Sequence, residues 1–188
     1  MSTLIRFSIL MPITACFLVA CSGSYNATLT PGYTYRVSGI VAVMRIDYPD
    51  PAAADSVTNV LEEHLSTCDR VRLIPARSVD SLLHLHEVTI PRAFTIPYLR
   101  ELYEITGANY LLTGTITFWK RSNFGIASRT SNVGLVLSLY DLFNGKTVWV
   151  VSGEDESKLP GIFAERPEWI CRQVIRKMLN ETEGFCRD

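Results

Sequence analysis

Net charge is almost absent from this sequence: eighteen Lys and Arg stand against nineteen Asp and Glu, a formal balance of -1. That leaves no electrostatic footprint for nucleic acid or another polyanion. Histidine is scarce, with three residues, and their placing argues against a metal. His84 and His86 are two apart, about 200° around a helix. His64 and Cys68 are four apart and share a helix face, but no third ligand joins them. A phosphate loop, a dinucleotide glycine fingerprint, a G-x-S-x-G elbow, an H-E-x-x-H helix and a C-x-x-C pair are all missing. A Ser/His/Asp set can be assembled in many ways, which singles out none. The expectation is a protein that is not an enzyme and holds neither metal nor cofactor. Long apolar runs are missing too. The stretch from Ile9 to Ala20 contains Pro12 and is too short to span a bilayer comfortably. Behind Arg6 it reads as a processed leader.

That leader ends in Leu18-Val19-Ala20-Cys21, which resembles the bacterial lipobox. The chemistry needs a thiol there, because the sulfur becomes the thioether to diacylglycerol and the freed amine of Cys21 is then acylated. Several acyl chains at about 0.8 kcal/mol per buried methylene make such an anchor effectively permanent. By the same resemblance, Ser22 in place of aspartate implies sorting to the periplasmic face of the outer membrane. Residues 1–20 are therefore the expected signal peptide. Residues 21–36, rich in Ser, Gly, Thr and Tyr, are the expected lipidated tether that lifts the body from the bilayer. Residues 37–188 are the expected single periplasmic domain. The hydrophobic fraction of 47% and charged fraction of 20% suit one globular core.

Cys16 leaves with the leader and Cys21 is acylated, so Cys68, Cys171 and Cys186 remain in an oxidising compartment, and one disulfide plus one free thiol is expected. A return of the tail past Gly184 would join Cys171 to Cys186, with Cys68 buried as a small hydrophobe. Cys68 with Cys186 is the rival pairing, and geometry decides between them.

Hydrophobic period sets the rest. A first strand lies in Val37 to Ile46 around Ile40, Val41, Val43 and Ile46. A helix capped at Asp50-Pro51 then carries Val57, Val60, Leu61 and Leu65. A short strand, Val71 to Ile74, implies a parallel pair with that helix across one sheet face. Ser78 to Leu85 is a short helix. Thr95, Pro97 and Gly107 bound another, whose stripe is Leu99, Leu102 and Tyr103. Three strands follow: Tyr110 to Lys120, Val133 to Leu142 and Lys146 to Ser152. The last two are joined by an Asn144-Gly145 turn expected to supply positive dihedral angles. Tyr110, Leu112, Ile116 and Phe118 are assigned to one face of their strand, and Val133, Leu135, Leu137 and Leu139 to one face of theirs. Pro167 opens a last helix on Ile170, Val174, Ile175, Met178 and Leu179. The outcome is an α/β (α+β) domain: a mixed sheet of about five strands with helices packed on it, in the order β-α-β-α-α-β-β-β-α.

Few residues stand out as a site. Asp47, Asp50 and Asp141 read as turn and cap residues. The long polar loop Arg121 to Asn132 carries Phe124 and is flanked by Phe118 and Trp119. These amphipathic rings suit a protein interface or the headgroup layer.

Gly107-Ala108-Asn109-Tyr110-Leu111-Leu112-Thr113-Gly114-Thr115-Ile116, with Leu139-Tyr140-Asp141 and Gly145-Lys146-Thr147-Val148-Trp149, resembles the curli-export lipoprotein superfamily. That group looks related to the lipoprotein activators of peptidoglycan synthases, the lipoprotein of Pel polysaccharide export and the amino-terminal domain of the Tol-Pal translocation protein. The resemblance implies an α/β domain in scaffolds, pores or activators, often in oligomeric rings. The loop of about a dozen residues lacks the paired alternating strands of a transmembrane barrel.

Three functions follow. The first is a non-enzymatic scaffold or accessory subunit of an envelope export or assembly machine, membrane-bound through its lipid, alone or as a homo-oligomeric ring. The second is a lipoprotein activator of a peptidoglycan synthase. A tether of about fifteen residues disfavours it, reaching only roughly 50 Å when extended. The third is a lipidated periplasmic hydrolase, which requires a pocket of convergent titrating groups.

Overall fold

The computed structural model describes residues 23–30, 37–121, 131–157 and 165–182. Its elements are β1 (Ser24–Leu29), β2 (Gly39–Val43), α1 (Pro51–Ser66), β3 (Val71–Ile74), α2 (Ala76–Leu85), α3 (Ile96–Thr106), β4 (Tyr110–Arg121), β5 (Ser131–Asp141), β6 (Lys146–Glu156) and α4 (Pro167–Glu181). One six-stranded sheet runs β1-β6-β5-β4-β2-β3. β2 lies parallel to both β3 and β4, whereas β4, β5, β6 and β1 follow one another antiparallel. The sheet is mixed and does not close into a barrel. Among the described residues no helix is long and apolar enough to cross a membrane.

The helices start and stop where side-chain chemistry directs. Asp50 Oδ1 accepts from the Ala52 amide at 3.0 Å and Pro51 occupies the first turn of α1, satisfying donors that a helix start leaves open. α2 begins at Pro75 without a cap of its own. The Glu62 carboxylate on α1 reaches across instead and accepts from the Ala76 amide at 2.6 Å, which ties the two helices together. Gly107 ends α3 in the left-handed region at φ 65°, as its position in the sequence predicts.

Two cores form, one on each face of the sheet. Leu112, Ile116, Val133, Leu135, Leu137, Leu139, Trp149 and Val151 turn to one face, where α1 and α4 cover them with Leu61, Leu65, Val174, Ile175 and Met178. On the other face α2 and α3 bury Ala42, Met44, Leu111 and Leu142 against Val79, Leu83, Leu99 and Leu102. That second layer sits over β2 and the starting half of β4. The facing sides of β5 and β6 carry Val136, Ser138, Val150 and Ser152, all partly exposed.

Three expectations need correction. Residues 21–36 are not wholly a loose tether. Ser24–Leu29 form β1, paired residue for residue with β6 from Ser24 opposite Glu154 to Leu29 opposite Trp149. Phe118 does not share a face with Ile116. The register of β4 against β5 slips between Ile116 and Phe118, so the extra residue Thr117 reverses the alternation beyond it. Phe118 thereby faces away from the α1–α4 core and Trp119 faces toward it, partly buried. Lastly, the β5–β6 connection is a four-residue turn, Leu142 to Gly145. Gly145 alone takes positive φ there, at 65°, and no two-residue Asn-Gly turn forms.

Candidate functional site

Strand direction gives the sheet two distinct ends. β1 starts opposite Glu154, near the close of β6, and this is also where β4 and β5 finish their pairing at Arg121 and Ser131. The start of β1, three residues after Cys21 in sequence, thus lies at the same end as the finish of β4 and the start of β5. The β5–β6 turn lies at the other end, about 35 Å away at roughly 3.3 Å per residue along β6.

At the first end the start of β1 is locked down. Gly153 lacks the Cβ that would come within 2.8 Å of the Tyr25 ring and 2.7 Å of Met178, so ring and thioether close over it. The Tyr25 hydroxyl donates to Asp155 Oδ2 at 3.2 Å. Lys177 of α4 donates to the same oxygen at 2.9 Å, with its ammonium 5.0 Å from the centre of the Tyr25 ring. Beside them Ser24 Oγ donates to Glu154 Oε1 at 3.0 Å. Burial opposes charge on Asp155, but hydrogen bonds from Lys177, the Glu156 amide and Tyr25 outweigh it and hold the carboxyl below its ordinary range. The bond to Asp155 holds the Lys177 ammonium above its own. Burial pushes Tyr25 up. These shifts record a staple between strand and helix, and a proton donor or acceptor is not left free by them.

The aromatic trio divides across this end. The Phe118 ring lies over Gly134, where a Cβ would be 2.5 Å from Phe118 Cε1. Trp119 packs on the opposite face against the core. Phe124, like Cys21 and Cys186, lies outside the described residues.

Other residues singled out by sequence serve the fold. Asp47 forms an isolated bridge to Thr115. Asp141 accepts from the Asn144 amide at 2.9 Å and its side-chain amide at 2.6 Å. His84 occupies the last turn of α2 and His86 caps it. His64 faces a shallow groove between α1 and α4 with Trp169, Arg172 and Arg176. Its imidazole is held below the ordinary range, first by burial and then by Arg176. Among the described residues no three His, Cys, Asp or Glu converge in a metal-holding group. The pairing of Cys171 with Cys186 is also overturned. Cys171 is a free, fully buried thiol, pushed up to about 12 by that burial. Cys68 is disulfide-bonded, to a cysteine outside the described residues. A helix position facing the core offers a sulfur no route to the tail.

A groove of 850 Å³ runs between the open face of β4 and β5 and the α2–α3 connection. Thr113, Thr115, Ser138 and Tyr140 line one wall, and Arg92 and Phe94 the other. Asp47 and Asp80 also line it, and hydroxyls and rings of this kind recognise surfaces or polar ligands.

No motif singles out Tyr25, Asp155 and Lys177 in the sequence. The available signal is the alternation Tyr25, Ala27, Leu29 inside a stretch otherwise polar enough to read as linker.

No family model and no curated protein matches the chain by sequence. Solved structures do resemble it. The PelC dodecamer from Paraburkholderia phytofirmans superposes with a TM-score of 0.57 at 20% identity, over 88% of this chain and 99% of that one. Lipoprotein GNA1162 from Neisseria meningitidis gives 0.55 at 17% identity, over 77% and 97%. The hypothetical protein CT253 from Chlamydia trachomatis gives 0.50 at 12%, over 79% and 98%. At such identities the likeness is one of fold.

Proposed function

We propose that the chain is a lipoprotein of the bacterial envelope, anchored by Cys21 to the periplasmic face of the outer membrane, and that it works as a non-enzymatic scaffold or accessory subunit of an export or assembly machine. The observation that carries this reading is the pairing of β1 with β6 immediately after the lipobox. Only Cys21 to Gly23 then separate lipid from folded sheet, a reach of roughly 10 Å. The body rides against the bilayer, with the β4–β5 hairpin at its membrane end. There Phe118, Trp119 and Phe124 contact headgroups or a neighbouring subunit. Likeness in fold to a protein that crystallises as a dodecamer supports self-association into a ring. The likeness of the Gly107 to Trp149 motif to the curli exporter supports the same reading at the level of fold markers.

A synthase activator working through the wall needs length that this leash lacks, so that reading ranks second. A hydrolase ranks third, since the strongest side-chain cluster is a closed staple. Cys68 pairs with Cys186 in this account, because Cys171 is free, Cys16 leaves with the leader and Cys21 carries lipid. The test is the native mass of the lipidated protein in detergent, with Cys21→Ser alongside. A ring-sized particle at the outer membrane, lost from the membrane in Cys21→Ser, is expected. A monomer, or unchanged membrane retention and lipid labelling in Cys21→Ser, overturns the proposal.

A further inference from the structure

The groove of 850 Å³ beside the α2–α3 connection takes no part in the staple or the hairpin end. Its floor is sheet. Thr113 of β4 stands opposite Ser138 of β5, and Thr115 opposite Val136. Residues opposite one another or two apart share a sheet face, so Thr113, Thr115, Ser138 and Tyr140 make a lattice of hydroxyl-bearing positions about 5–7 Å apart. All four line the groove, and among the described residues no hydrogen-bond partner meets their hydroxyls. A hydroxyl both donates and accepts, whereas a phosphate only accepts and an ammonium only donates. The lattice therefore matches a ligand that does both at short intervals.

The walls agree. Their charged groups are two cations, Arg45 and Arg92, and two carboxylates, Asp47 and Asp80, and Arg45 is already paired with Asp55. Neither sign prevails, so charge is not what selects the ligand. Along one edge the Phe94 and Tyr140 rings meet with centroids 5.2 Å apart, and Phe94 stacks on Tyr98 at 5.7 Å. That cluster pins the loop to the sheet and sets apolar ring surface beside the hydroxyls. Sugars present the same combination, hydroxyls around the rim of a ring whose C–H face is apolar.

The floor also continues past the groove. Ser152 of β6 stands opposite Val136, and Asn26 of β1 opposite Ser152. Four strands at about 4.8 Å spacing make a polar face roughly 14 Å across, with Val136 and Val150 between the hydroxyls keeping it flat. Such a face suits a chain more than an enclosed small molecule. A protein interface gathers its rings and apolar bulk at the centre, whereas here the rings stand at one edge.

We propose that this groove and the open face beside it bind a glycan chain, with Thr113, Thr115 and Ser138 hydrogen-bonding sugar hydroxyls and Tyr140 and Phe94 stacking on a sugar ring. The site follows from the fold and holds however the chain is anchored.

The test is saturation-transfer difference NMR on the full-length lipidated protein in a zwitterionic, sugar-free detergent. Two pools of short oligosaccharides from the cells that make it are the probes, one cut from polysaccharide shed to the medium and one from wall glycan strands freed of peptide. They share the chemistry, and the pool that responds names the source. Transfer to sugar ring protons in at least one pool, retained at high salt, is expected. Thr115→Val with Ser138→Ala is expected to cut it at least fivefold, as is Tyr140→Leu, while Ser66→Ala at the end of α1 changes nothing. Valine suits a strand as well as threonine does, so unaltered circular dichroism in the double variant separates lost contact from lost fold. No transfer from either pool, transfer that the double variant leaves intact, or transfer abolished by salt overturns the proposal. A Cys21→Ser protein that stays on the membrane sinks the anchoring reading and leaves this site standing.

Discussion

Asp155→Ala tests whether the Tyr25, Asp155 and Lys177 staple holds β1 to the body. Asp155 exposes 4% of its side chain and Lys177 33%, with nitrogen and oxygen 2.9 Å apart. Breaking a fully buried pair costs about 3–5 kcal/mol because the survivor is stranded. Here the ammonium is one-third exposed and regains water, so about 2 kcal/mol is expected, including the lost acceptor of the Tyr25 hydroxyl. For a body of this size that lowers Tm by about 4–8 °C, read by circular dichroism. The loss is also local. Amide exchange across residues 24–29 accelerates, while the centre of β5 keeps its protection. Adding Lys177→Met separates the pair from its surroundings, since Asp155→Ala then costs at least about 1 kcal/mol less in that background. A full Tm loss with β1 exchange unchanged, or a coupling near zero, refutes the staple.

Three further outcomes follow from the packing. Gly114→Val drives a side chain into the Val136 carbonyl and within 2.7 Å of Leu137 Cδ2, so a loss of about 3 kcal/mol or more is expected in denaturant titration. His64 titrates below the ordinary imidazole value of 6.5 because the fold buries it. The unfolded chain therefore takes up the proton first, and stability present above pH 6.5 falls as pH drops through that value. His64→Gln flattens this slope, while the Asp155 contribution, whose folded value is depressed, persists to lower pH. Thiol titration of the native protein at pH 8 leaves Cys171 unmodified and finds it only after unfolding. Reductant removes the Cys68 bond and lowers stability by about 2–5 kcal/mol.

Local chemistry made most elements legible in advance. Asp50-Pro51, Pro97, Gly107 and Pro167 mark helix ends because caps and first-turn prolines act within a few residues, whereas Thr95 stands at the start of α3 without a side-chain cap bond. Val133, Leu135, Leu137 and Leu139 alternate because one face is buried against α4. What escaped depends on distant partners. β1 reads as linker because Ser24, Asn26 and Thr28 face the open side and only Tyr25 and Leu29 pack on the core. The bulge at Thr117 has no compositional marker, since a threonine suits either face of a strand. The choice between Cys171 and Cys68 hangs on which sulfur the helices enclose, a tertiary fact. For the candidate site, aromatic composition pointed to the hairpin end, but the rings' division across two faces followed from that one inserted residue.

The six pairs between β1 and β6 also determine how the molecule bears mechanical load. If Cys21 carries the proposed lipid, a pull from the bilayer would act on the first residue of β1 along the strand axis, while the rest of the sheet is drawn the other way. In that geometry the strand has to slide as a unit, so its hydrogen bonds are strained together in shear instead of opening one after another like a zipper. Were the lipid attached at the other end of β1, the same six pairs would peel under far less force. Under the proposed anchoring at Cys21, the load would enter at the end where a short strand resists most.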